Sequence, residues 1–433
     1  MKEKKKYLFK YIYYTLLLLL LASRQTSMTA PSMVLRLAFM AAAIVPTIMD
    51  KKLCYPAIIT MFYTITLDGF GYSYMPTTFS LYLTITLAIT LLFISRNTIT
   101  NTIPHFILLF AVYIFLIDLL FSTNNQQDGA IVQRTFFCFV LLACFLIMSN
   151  RSIDSTLSQL PLCFSVTTIV LSIAFLTHRE QFVTMETGDI ERSGWTDPNY
   201  FGMVLGMGAV VGMIKMFSRE LKKLSVVEQI VYIAAVVLSI PAMTLNASRG
   251  AMLSVACSFV VLVFYSKVKW GMKFILTIGT VLVIIYLYKN QYFDLLEYRI
   301  MEDEGTGSGR TEIWIAKLSA FTSGNPLKMI FGYGHIGGSI ISGSHIGFHN
   351  DYIGFLVDYG IIGFSLLLYM LLYPIRLIPK GSLEMPSVIV LIVFLATCFL
   401  TLEPLLTGII AYFSFYMYAL LLAKNSRRYL CRD

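Results

Sequence analysis

The chain is 433 residues long, 57% hydrophobic and 13% charged, with a formal net charge of +9. At a mean hydropathy of +0.74, that composition excludes a soluble globule and leaves an integral membrane protein. The basic excess falls in short connections between apolar runs, which is a topology signal and gives no reason to invoke nucleic acid.

In chain order, apolar runs of about 17 to 23 residues recur, each long enough to cross a hydrocarbon core of roughly 30 Å as a helix. They lie at 8 to 22, 32 to 49, 53 to 69, 77 to 95, 103 to 121, 131 to 149, 160 to 177, 198 to 217, 227 to 246, 249 to 267, 271 to 289, 351 to 373, 386 to 402 and 404 to 422. The pattern predicts an all-α polytopic membrane protein of about 12 to 14 transmembrane helices, with one large extracytoplasmic loop that contains short helices. The first run follows MKEKKK without a small-residue cleavage site, so a retained signal-anchor helix is expected. Three parts follow: N-terminal helices at 1–177, a core at 178–373 with outer loops 178–197 and 290–350, and C-terminal helices with a cytoplasmic tail at 374–433.

With the N-terminus inside, MKEKKK, DKK at 50 to 52, Arg96, Arg151, KMFSRELKK at 215 to 223, SKVKWGMK at 266 to 273, PIRLIPK at 374 to 380 and the terminal KNSRRYLCRD all fall on the cytoplasmic side. Both termini are therefore expected in the cytoplasm. The seven cysteines form no CxxC pair, and none falls in the outer loops. Neither a disulfide framework nor a zinc site is supported.

Ionisable groups at membrane depth are costly and usually line a cavity. Arg36, Asp68, Asp118, Arg134, Arg249 and Glu403 fall toward the outer ends of their runs, and Asp358 lies about two turns inside its own. Any one of them could be a snorkelling side chain or half of a structural pair. Together they imply a polar chamber open to the outer face, whose arginines suit a phosphate because guanidinium can grip it with paired hydrogen bonds.

Four outer motifs would roof that chamber. In ERSGWTDPNYFG, 191 to 202, Pro198 suits a first helical turn that Asp197 or Asn199 could cap. NASRGAM, 246 to 252, sets Arg249 between two apolar runs. GTGSGRTEIWIAKL, 305 to 318, is a Gly-rich turn leading into an amphipathic helix with Ile313, Trp314, Leu318 and Phe321 on its apolar stripe. Arg310 stands at that helix's first turn, where backbone N–H groups already favour anions. The bland alternatives are a loop ending in a helix start, an interfacial anchor and a surface helix. The fourth motif is SHIGFHNDYIGFLVDYG, 344 to 360, with MIFGYGHIGG upstream at 329 to 338. The acidic run Glu302, Asp303 and Glu304 reads as a solvated loop face. His345 belongs to the loop, because Gly347 argues against a helix that would pair it with His349.

In this order, over roughly residues 190 to 365, the motifs resemble the bacterial O-antigen ligase and polymerase family, whose members move glycans from a polyprenyl diphosphate carrier. The resemblance implies a membrane glycosyltransferase in which an acceptor sugar hydroxyl attacks the anomeric carbon of a diphosphate-linked donor. Such a leaving group is already a stable anion, so the need is for cations on the diphosphate and a base for the hydroxyl. Arg249 and Arg310 match the family's arginines, and His349 occupies its histidine position. Arg192, Asn199, Trp314, Asn350 and Asp351 are expected to bind substrate or support the site, with Asn350 orienting the histidine or binding sugar and Asp351 an alternative base. No cofactor and no metal are expected. The implied partners are an undecaprenyl (polyprenyl) diphosphate-linked glycan, an acceptor glycan or lipid A core, membrane lipids and a chain-length regulator. The implied location is the cytoplasmic (inner) membrane, with the active site on its periplasmic or extracytoplasmic face. GRTEIW followed by NPLKMIFGYG favours a polymerase over a ligase. A glycolipid flippase or other transporter is the alternative outside the enzyme class, though no internal repeat supports it.

Overall fold

A computed structural model describes residues 106–121, 160–177, 183–184, 192–193, 198–217, 224–266, 268–301, 309–335, 337, 341–343, 347–376 and 385–402. The described chain is helical apart from one antiparallel pair. Its elements are α1 (Phe106–Phe121), α2 (Leu160–Thr177), β1 (Val183–Thr184), β2 (Arg192–Ser193), α3 (Pro198–Met216), α4 (Val226–Asn246), α5 (Arg249–Tyr265), α6 (Trp270–Lys289), α7 (Asp294–Met301), α8 (Arg310–Thr322), α9 (Pro326–Phe331), α10 (Asp351–Arg376) and α11 (Met385–Thr401). Val226–Asn246 and Asp351–Tyr373 are long and apolar enough to cross a membrane, and Arg249–Tyr265 and Met385–Thr401 are shorter apolar helices.

Within the described residues the apolar runs become helices, because a long run with no strand-period alternation readily satisfies its own backbone as a helix. Leu160–Thr177 coincides with its run, and α4, α6 and α11 start one residue before theirs. The runs before residue 103, those at 131 to 149 and 404 to 422, and Arg36, Asp68, Arg134, Asp197, Glu302, Asp303, Glu304, His345 and Glu403 lie outside the described residues. The long loop at 290–350 contains α7, α8 and α9, as expected. The pair β1–β2, with Val183 opposite Ser193 and Thr184 opposite Arg192, sits in a segment expected to be loop. Two residues a side leave no periodic signal in a sequence.

Helix α3 is the hub, with all its residues from 201 to 214 buried, as befits a helix apolar on every side. It packs on α2, α4, α5 and α11, while α10 packs on α1, α8, α9 and α11. Helix α11 therefore joins the two groups. Small residues on α3 let its neighbours approach closely. A Cβ on Gly202 would come within 2.6 Å of the Ser248 Cβ, and one on Gly206 within 2.9 Å of a Val255 methyl. Helix α4 begins with a capping box, in which Ser225 Oγ accepts from the Glu228 N–H at 3.3 Å and Glu228 Oε2 accepts from the Ser225 N–H at 3.0 Å.

Candidate active site

The turn between α4 and α5 carries the S-R-G motif. Ala247 closes α4 in the left-handed region at φ 51°, and Ser248 takes the N-cap position of α5. Arg249, half-buried, is thus the first residue of α5. The Ser248 hydroxyl donates to Asn199 Oδ1 at 3.5 Å. Asn199, expected as a candidate cap for its own helix, accepts here from the N-cap residue of α5, and the D-P-N and S-R-G motifs meet there. Gly250 lies so close to the end of α11 that a Cβ would fall 2.6 Å from Thr401 Oγ1.

Thr401 is also where α8 is tied down. Arg310, the first residue of α8, follows Gly309 at φ 74°, and its Nη1 donates to the Thr401 carbonyl at 2.9 Å. The next carbonyl, that of Leu402, accepts from the Asp351 N–H at 3.1 Å. The last carbonyls of a helix lack partners within it and carry partial negative charge. Arg310 and the first N–H of α10 satisfy two of them. In consequence the N-terminal ends of α3, α5, α8 and α10 gather around the C-terminal end of α11. Helix N-termini present backbone N–H groups and positive dipole ends, so this gathering, with Arg249 and Arg310 at its helix starts, suits an anion.

His349 stands at the entry to α10, half-buried, with a left-handed backbone at φ 49°. Both neighbours are held. The Phe348 carbonyl accepts from Trp314 Nε1 at 2.7 Å, and the Phe348 ring packs with Phe321 and Val357. Asn350 Oδ1 accepts from the N–H groups of Tyr352 at 3.0 Å and Ile353 at 3.2 Å. Its side-chain oxygen is therefore the N-cap of α10, a role the sequence did not single out for it. Asp351 follows, wholly buried. Arg192 lies on β2 opposite Thr184.

The sequence reading missed Lys317. It is wholly buried, with Nζ 3.9 Å from the centroid of the Phe348 ring. Arg310, Trp314, Lys317 and Phe321 recur at helical spacing, so they share one face of α8. That spacing is present in the sequence, but the apolar stripe expected of this helix, Ile313, Trp314, Leu318 and Phe321, does not include Lys317.

A second polar centre lies where α10 breaks. Gly360 adopts φ 67° and ψ −172° inside that helix, which frees carbonyls in the preceding turn. The F-G-Y-G segment takes them up, with Tyr333 N–H donating to the Val357 carbonyl at 3.2 Å and Gly334 N–H to that of Asp358 at 2.8 Å. The Tyr113 hydroxyl of α1 donates to the Tyr359 carbonyl at 2.8 Å. Asp118 Oδ1 accepts from the His335 N–H at 2.8 Å, and its Oδ2 accepts from the Tyr359 hydroxyl at 3.2 Å. His335 Nδ1 lies 3.9 Å from Asp358 Oδ2. Asp118 and Asp358, grouped by the sequence with the arginines, meet each other's neighbours here, and His335 is a member that was missed. Lys328 of α9 sits over the Phe121 ring at 3.2 Å, and desolvation there pushes its ammonium below the usual lysine pKa.

The family model described as O-antigen ligase matches residues 234–368. That span runs from within α4 into α10 and takes in Arg249, Arg310, Trp314, Lys317 and His349. No curated protein matches the chain.

Proposed function

We propose, from the match of residues 234–368 to the family model described as O-antigen ligase, that the chain is a multi-pass glycosyltransferase of the cytoplasmic membrane that polymerises polyprenyl diphosphate-linked repeat units on the outer face. The observation that carries this reading is the gathering of helix N-termini, two of which begin with Arg249 and Arg310, around the C-terminal end of α11, where α10 begins just after His349. The donor diphosphate lies against Arg249 and Arg310. An acceptor sugar oxygen attacks the anomeric carbon as its proton passes to His349. The bond from that carbon to the diphosphate oxygen breaks, and the electron pair leaves with the polyprenyl diphosphate. Charge develops on the leaving group at the end of the site richest in fixed positive dipoles, where such charge is best stabilised. Trp314 and Asn350 hold the histidine segment, and Asp351 begins the helix that follows it.

A second reading, transfer of the finished glycan to lipid A core, is favoured by the description of the matched family as a ligase. The experiment that separates them supplies purified protein in proteoliposomes with a lipid-linked repeat unit, with and without lipid A core. Longer lipid-linked chains in both tubes support the polymerase. Product only with the core supports the ligase. No glycosyl transfer in either tube refutes the enzyme and favours a transporter.

A further inference from the structure

We propose that Lys317 is a positioning residue for His349 and acts through Phe348, an inference that rests on the assignment of His349 as the base. A lysine is almost never fully buried without a specific reason, because the ammonium loses its hydration there. Lys317 is wholly buried, and Nζ stands 3.9 Å from the Phe348 ring centroid, a cation–π arrangement that strengthens as water is excluded. One turn earlier on the same helix, Trp314 Nε1 donates to the carbonyl of Phe348 at 2.7 Å. Helix α8 thus grips one residue by its ring and by its backbone.

What this grip holds is the unfavourable part of the site. A left-handed φ at a residue other than glycine persists only where the surroundings over-determine it. His349 has φ 49°. On its other side Asn350 is fixed by the N–H groups it caps. The backbone of His349 cannot relax to an ordinary conformation without giving up the cap or the grip on Phe348, so the direction of its Cα–Cβ bond, from which the imidazole extends, is set from both sides.

The same helix carries Arg310, seven residues before Lys317, which is roughly 10.5 Å along the axis at 1.5 Å per residue. Helix α8 is therefore a rigid spacer between a cation for the leaving group and the base for the acceptor. Loss of the grip leaves the diphosphate contacts in place and displaces the base. Misplacement of a reacting group by about 1 Å costs on the order of 100-fold in rate.

The test is steady-state transfer by the full chain in proteoliposomes, with a polyprenyl diphosphate-linked repeat unit as donor. Lys317→Met is expected to lower kcat roughly 10- to 100-fold with KM within about twofold of wild type. Lys317→Arg, which keeps a cation over the ring, restores most of the loss. Trp314→Phe lowers kcat as well, and the double variant loses less than the product of the separate losses, because both act through Phe348. Wild-type kcat in Lys317→Met, a rise in KM with kcat unchanged, or fully multiplicative losses overturn the proposal. Should Lys317→Met not accumulate as folded protein, Phe348→Leu decides: it keeps apolar bulk and the carbonyl, removes the ring face, and must lower kcat in the same way. His349→Ala runs alongside. Turnover in that variant sinks the assignment of the base and this inference with it, whereas an inactive His349→Ala beside wild-type kcat in Lys317→Met and Phe348→Leu sinks the positioning role alone.

Discussion

Asn350 offers a clean separation between holding the site and touching the substrate. Its Oδ1 accepts from two backbone N–H groups at the start of α10, and the residue is 3% exposed. Replacing an N-cap asparagine by alanine costs about 0.5–2 kcal/mol, and burial places Asn350 toward the upper end, since the two N–H groups lose their acceptor where water is scarce. At roughly 2–4 °C per kcal/mol for a domain of 150–250 residues, Asn350→Ala is expected to melt a few degrees below wild type. Serine caps as well as asparagine does, so Asn350→Ser should recover most of that loss. If the cap is the whole role, transfer activity returns with it. The assay is thermal unfolding in detergent, paired with turnover in proteoliposomes. A serine variant that melts no higher than the alanine variant refutes the capping argument. One that regains stability without regaining turnover shows that the carboxamide meets the substrate.

Further outcomes follow from other parts of the structure. At Gly360, φ 67° with ψ −172° is a conformation essentially reserved for glycine, and a Cβ there would overlap the Ile330 carbonyl oxygen; Gly360→Ala is expected to cost more than about 2 kcal/mol and to lower the yield of monodisperse protein, and an unchanged melting temperature would contradict the break as described. Arg310→Lys keeps the charge near the Thr401 carbonyl but loses the planar fork, so stability should fall by no more than about 1 kcal/mol while turnover falls at least tenfold; equal turnover argues against a guanidinium on the diphosphate. Tyr113→Phe removes the donor to the Tyr359 carbonyl and should cost roughly 1–2 kcal/mol in thermal unfolding with kcat unchanged.

The helices were legible because an apolar run of about 20 residues has few other ways to satisfy its backbone, and the ends of α2, α4 and α6 fall within a residue of the sequence boundaries. Motif spacing also located Arg249, Arg310 and His349 at helix starts or entries. Their partners were not legible. Arg310 meets a carbonyl 91 residues away, and His335 meets a carboxylate 217 residues away, and no local pattern encodes such pairings. Asn350 is expected from the sequence to orient the histidine or bind sugar; its cap on the N–H groups of Tyr352 and Ile353 depends on where α10 starts. Lys317 is not legible for a different reason: its contact with the Phe348 ring joins residues 31 positions apart. The F-G-Y-G segment was read as a motif, but its work is to satisfy carbonyls that the break at Gly360 exposes, which needs both segments in view.

Glycosyl transfer with His349 as the base and arginines on the diphosphate is the central claim. The most direct measurement is release of polyprenyl diphosphate from a lipid-linked repeat unit by wild type, His349→Ala and Arg249→Ala, each first shown to be inserted and to melt like wild type. Release by wild type and none above background in either variant is expected. Wild-type rates in either variant would contradict it.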